Sequence, residues 1–126
     1  MDQEEQRVLL LDFERNRQML MNVSAQKQQI AYQLEMINSS LEEMGKSKEK
    51  MVYKVVGNVL FPKDAKEMEK ELKEKKESTE LRAKTVEKQE ETLIKKLNTI
   101  RAKIEGTQKE AEDGESKSEK SEKKKK

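Results

Sequence analysis

The side chains in this chain that could exchange protons are its carboxylates, its lysines and two tyrosines; it has no His and no Cys. That removes thiol chemistry, disulfides and the usual zinc sites. No Ser-His or Cys-His pair and no Gly-rich phosphate loop occurs, and the four Gly are scattered. The carboxylates recur at helical spacing among lysines, on faces that water covers, where nothing would shift their pKa toward catalysis. The expectation is a protein that is not an enzyme and takes no cofactor and no metal. What remains able to act is apolar surface, and two stretches are rich in it: VLLLDFERNRQMLM at 8–21 and VYKVVGNVLF at 52–61.

These stretches sit in a 126-residue chain that is 43% charged, 32% hydrophobic and 3% aromatic. Too few large apolar groups are present for a compact core, since small domains are already marginal at ordinary content. Enrichment in Ala, Glu, Lys, Leu and Arg points to long helices or coiled coil, with disorder as the rival. Net charge is +2, which gives no strong drive toward nucleic acid or membrane. Charge is uneven along the chain: residues 1–45 are acidic, whereas 46–63 hold five Lys and one Glu. The N-terminus, MDQEEQR, is acidic, unlike a secretory signal, and the longest apolar run is far too short to span a bilayer. A cytoplasmic location is expected.

Periodicity decides between helix and disorder. Stepping by four and three from residue 9 meets Leu9, Phe13, Asn16, Leu20, Val23, Lys27, Ile30, Leu34, Ile37, Leu41 and Met44. All are apolar except Asn16 and Lys27, which is a heptad seam. Those two polar residues either fix register or mark a place where the helices splay. Gly45 stands where a helix C-terminus belongs. A second seam reads Leu72, Thr79, Ala83, Val86, Leu93, Leu97, Ile100 and Ile104, with Lys76 and Glu90 on the same stripe. Asp64 with Glu67 opens this helix like a capping box, Pro62 blocks helix upstream, and Gly106 is a stop. Glu69–Lys73, Glu71–Lys75, Glu80–Lys84 and Glu91–Lys95 stand in the favourable i,i+4 order, each worth about 0.3–0.5 kcal/mol.

The expected fold is mainly α, a long antiparallel coiled-coil hairpin over 1–106, with helices at 5–45 and 64–106. A β-hairpin connector fills 46–63, and a disordered charged tail fills 107–126. Gly57-Asn58 is a two-residue turn of the kind that needs positive φ at Gly. It pairs Val56 with Val59, Val55 with Leu60 and Lys54 with Phe61. One face then carries Val52, Val56, Val59 and Phe61 around Lys54, and the other Tyr53, Val55 and Leu60. Both faces are apolar and both edges are open, whereas an isolated hairpin is marginal in water. Burial of half these side chains between subunits would contribute on the order of 10 kcal/mol before entropy. Residues 52–61 therefore read as an oligomerisation site, with folding back onto the chain's own helices as the alternative.

Val8, Leu10, Leu11, Phe13, Met19 and Met21 are more than one seam can bury, and Ile100 and Ile104 lie at the same end. Met is flexible and polarisable, which suits contact with varied partners. These residues are the candidate binding tip, an apolar surface open to varied partners. The tail TQKEAEDGESKSEKSEKKKK is solubilising, or, less simply, a nucleic-acid patch. From the residues alone two readings stand open: a structural coiled coil that oligomerises through the hairpin, and a nucleic-acid-associated coiled coil.

The hairpin residues Tyr53-Lys54, Gly57-Asn58 and Leu60, the block LRAKTVEKQEETLIKKL at 81–97 and Gln26-Lys27-Gln28 resemble the β class of prefoldin subunits, in its archaeal form. The resemblance covers about residues 5–106. It implies a hexamer of two α and four β subunits whose hairpins form a β-barrel hub with six coiled coils hanging from it. It also implies an ATP-independent chaperone that captures unfolded proteins at the coiled-coil tips and hands them to a group II chaperonin. The expected partners are thus a prefoldin α subunit, other β subunits, unfolded proteins and that chaperonin. Two departures stand out: the 8–21 stretch is more apolar than usual, and the tail is longer and more charged.

Overall fold

In the computed structural model, residues 2–115 are described, with side chains described through residue 106. The order is α1 (Gln3–Lys46), β1 (Met51–Val56), β2 (Val59–Asp64) and α2 (Ala65–Glu115). The chain forms two compact units, one of the residues up to Val23 with those from Gln89 onward, the other of Ser24–Lys88. The start of α1 thus pairs with the later part of α2, as an antiparallel hairpin of helices requires.

α1 begins slightly earlier than the seam predicts because Asp2 caps it. Its carboxylate accepts the Glu5 amide at 2.8 Å and its carbonyl the Gln6 amide at 3.1 Å, which satisfies donors that a helix start leaves orphaned. At the other end Gly45 does not take the left-handed conformation; positive φ is confined to Gly57 among the described residues. The helix runs one residue further to Lys46, and the Ser47 hydroxyl accepts the Glu49 amide at 3.1 Å. α2 starts as expected. Asp64 accepts the Lys66 amide at 3.3 Å, and the Ala65 amide donates to the Lys50 carbonyl at 2.8 Å across the hairpin base.

The expected stop at Gly106 does not operate: α2 continues to Glu115. Gly106 weakens a helix by about 1 kcal/mol, but the residues after it include Gln, Lys, Glu and Ala, good helix formers that carry the helix past it. The expected disordered tail lies, from residue 116 on, outside the described residues.

In the unit holding the termini, the seam of α1 (Leu9, Phe13, Asn16, Leu20, Val23) turns inward toward Leu93, Leu97, Ile100 and Ile104 of α2. The Arg101 guanidinium stands 6.0 Å from the centre of the Phe13 ring, within cation–π range. In the unit holding the hairpin, Ile30, Leu34, Ile37, Leu41 and Met44 turn inward, as do Leu72, Thr79, Ala83 and Val86. The two polar positions on the α1 seam part ways. Asn16 is 2% exposed, and its Nδ2 donates to the Asp12 carbonyl at 2.7 Å and to the Asp12 carboxylate at 3.1 Å, so its polar group is satisfied within its own helix. Lys27 is exposed, because its charged head cannot be desolvated cheaply. Among the described residues no buried side-chain nitrogen or oxygen lacks a partner.

Candidate functional site

The hairpin has the expected register: Val56 faces Val59, Val55 faces Leu60, Lys54 faces Phe61, and pairing extends to Met51 and Asp64. Gly57 has φ 60° and Asn58 does not have positive φ, the backbone of a type II′ turn, which suits the twist of the flanking strands. Pro62 falls opposite Tyr53. Counting from the turn, that is a pair that exchanges no hydrogen bonds, so the missing N–H costs the hairpin's own ladder nothing.

Only the base of one face is covered. Val52, Lys54 and Lys63 are half-buried, whereas Val56, Val59 and Phe61, on the same face nearer the turn, are exposed. On the opposite face Tyr53 and Val55 are each 67% exposed and Leu60 is 60% exposed. The hairpin therefore does not fold back to hide its apolar groups on the chain's own helices.

A charge clamp holds that base. Lys54 Nζ lies 2.5 Å from Glu71 Oε1, and Lys63 Nζ donates to Glu71 Oε2. Both ammonium groups donate hydrogen bonds to the one carboxylate, the Lys54 contact weighing most, and hold it down at about 2. Helical spacing had set Glu71 opposite Lys75; it turns to the hairpin instead, because two cations on a partly covered apolar face need an anion more than one exposed lysine does. Glu69–Lys73, by contrast, forms as expected at 2.9 Å. The clamp was readable in principle: Lys54 and Lys63 stand on one face once the register is drawn, beside the start of α2. What spacing along α2 lacked was any sign that Glu71 faced them.

Beside the clamp, where β1 meets the helices, is a recess of about 370 Å³ lined by Met36, Met44, Val52, Tyr53, Met68 and Leu72 together with Ser39, Ser40 and Glu43. Met44 and Leu72 stand on the two seams, whereas Met36 and Met68 lie off them and went unnoticed in the sequence.

The expected tip residues divide. Val8, Leu10, Leu11, Met19 and Met21 are exposed, between 47% and 58%. Phe13 and Ile104 are half-buried. Ile100 is 5% exposed and belongs to the seam, not to a surface, because its place in the repeat points it at α1. The exposed residues run along two sides of α1. Val8, Leu11 and Met19 lie along one; Leu10 and Met21 flank Glu14 and Arg17 on the other. Arg17 pairs with Glu14 at 2.6 Å, and its Nη1 lies 3.4 Å from Met21 Sδ. The hydrogen bonds from Arg17 hold the Glu14 carboxyl below the usual range.

Among the described residues no cluster of three or more His, Cys, Asp or Glu could hold a metal ion, and no helix is long and apolar enough to cross a membrane.

The chain is thus two long helices joined by a two-stranded hairpin whose apolar side chains are largely uncovered. The model of the prefoldin subunit family matches residues 7–111. The crystal structure of the prefoldin beta subunit from Thermococcus strain KS-1 is similar with a TM-score of 0.74 and 31% identity, over 82% of this chain and 91% of that one. No curated protein matches in sequence. The chain belongs to the prefoldin subunit family and is of β type.

Proposed function

We propose that this β-type subunit is an arm of a hexameric, ATP-independent holdase of two α-class and four β-class subunits. It acts in the cytoplasm and without catalysis. The hairpins join in a β-barrel hub. The apolar stretch of α1 grips unfolded proteins, which pass to a group II chaperonin.

The observation that carries the client-binding part is the exposure of Val8, Leu10, Leu11, Met19 and Met21. A coiled coil with no partner for these residues would place polar groups there, since exposed apolar patches invite association. Each contact with an unfolded chain is weak and adaptable, and six arms acting together raise the overall affinity through effective concentration.

The test replaces Leu10, Leu11, Met19 and Met21 with Ser and measures suppression of aggregation of a denatured model protein alongside the mass of the assembly. Protection should fall several-fold while the mass stays that of the wild type. Undiminished protection removes the client-binding role and leaves a structural assembly.

A further inference from the structure

The two helices that flank the hairpin differ in charge. Within the unit of Ser24–Lys88, residues 65–88 of α2 hold 15 charged side chains among 24. Residues 24–41 of α1 hold two among 18, Lys27 and Glu35. Burial does not account for the difference. Ala25, Gln29, Tyr32, Met36 and Ser39 recur at intervals of four and three, which makes one stripe along the helix, and all five are exposed. Tyr32 is 63% and Met36 52% exposed, one turn apart. The stripe runs into the recess, which Met36 and Ser39 line together with Met44, Met68 and Leu72.

A solvated helix face is ordinarily covered with charged groups, as α2 is. A face of Gln, Ser, Ala, Tyr and Met sheds its water with far less penalty than a charged one, so it is suited to being covered by a partner. The chemistry of the stripe says which partner. It holds no row of cations for a phosphate backbone. It also lacks a second apolar heptad to seat another helix, since Tyr32 and Met36 are its large apolar groups and no Leu, Ile or Val joins them. A Gln side chain carries a donor and an acceptor on one planar amide, the same pair that a main-chain peptide group offers. A folded protein has already paired its peptide groups; an unfolded one has not. From Ala25 to Ser39 the stripe is about 21 Å long, the span of about six residues of extended chain.

We infer that this neutral face of α1 is a second binding site for unfolded polypeptide, built from residues other than the exposed ones at 8–21. A segment lies extended along the stripe, and its peptide groups exchange hydrogen bonds with the side chains of Gln28 and Gln29, both exposed. Tyr32 supports it with a rigid apolar ring. An apolar side chain of the segment enters the recess, whose methionines adapt to its shape. Recognition of peptide groups is indifferent to the sequence of the bound chain, and a neutral face repels segments of neither sign. The inference rests on the proposed capture of unfolded proteins and adds to it a site that reads main chain as well as apolar side chains.

Two measurements test it on the full-length chain assembled with an archaeal prefoldin α subunit. The probe is a reduced and alkylated model protein that stays unfolded in buffer. In the first, Tyr32→Glu is combined with Met36→Lys. The new pair stands in the favourable i,i+4 order, so the helix is kept, and net charge is unchanged. Affinity for the probe should fall at least about threefold, because the charged face must now be desolvated; unchanged affinity overturns the inference. The second leaves Tyr32 and Met36 in place and so does not depend on how that variant folds. Because the chain has no Cys, Gln29→Cys and Lys84→Cys each take a single benzophenone label before assembly, at positions that are both exposed. On illumination, position 29 on the neutral face should capture the probe several times more than position 84 on the charged helix. Equal capture overturns the site and leaves capture by the 8–21 residues standing. A probe that does not bind the unaltered assembly removes the proposed capture of unfolded proteins itself, and this inference with it.

Discussion

The β-hairpin and the early turns of α1 both leave large apolar side chains in water, but on different backbones. In α1 around Leu10 and Met19 every main-chain group within the helix is bonded to its own helix. Only side chains are left to attract a partner, and side-chain contact alone is weakly directional and tolerant of shape. Around Tyr53 and Val55 the exposed side chains stand on a strand whose outer main-chain groups are also open. Hydrogen bonds are directional and demand a register. In the proposed function the same kind of residue would serve two ends: on the helix, tolerant contact with many sequences; on the strand, a joint between subunits.

The largest effect that could break this contrast is at the hairpin. Replacing Tyr53, Val55 and Leu60 with Ser removes the uncovered face and should abolish the oligomer, leaving a helical monomer by sedimentation and circular dichroism. An intact oligomer would mean that side chains contribute little there. Next in size is the seam. Leu97 is buried, and Leu97→Ala should lower stability by about 2–5 kcal/mol in urea unfolding. The Ser variant of the exposed α1 residues should leave the unfolding midpoint almost unmoved, which separates packing from binding within one unit.

Smaller still is Gly106→Ala. A Cβ there meets nothing within 4 Å, so the helix should gain about 0.5–1 kcal/mol, read as added helicity on heating. The smallest effect is at Glu71, exposed enough that water screens it. Its folded pKa, about 2, lies below the ordinary 4.5. The clamp's contribution is therefore full above about pH 4.5 and is lost as pH falls toward 2. In Glu71→Gln, exchange of the hairpin amides should lose that acid dependence and match the acid-treated wild type.

Much of the fold was legible because its signals are local or periodic. The α1 seam predicts inward residues from Leu9 to Met44 and errs at Lys27, where desolvation outweighs the repeat. Gly57-Asn58 sets the hairpin register because a two-residue turn leaves no choice of pairing. Gly45 stands within one residue of the α1 end, as expected, whereas α2 passes Gly106 by a longer stretch. A glycine permits a stop but does not impose one when good helix formers follow.

The amino-acid order alone settled which side of each helix is greasy, where the chain reverses and how its two strands align, since each depends on neighbours within a few positions or on a repeat. Three-dimensional packing decided that Glu71 abandons its helical neighbour for Lys54 and Lys63 and that a methionine-lined hollow opens beside β1. Those outcomes turn on which groups from distant positions come within a few ångströms of each other, and no spacing along the chain encodes a distance through space.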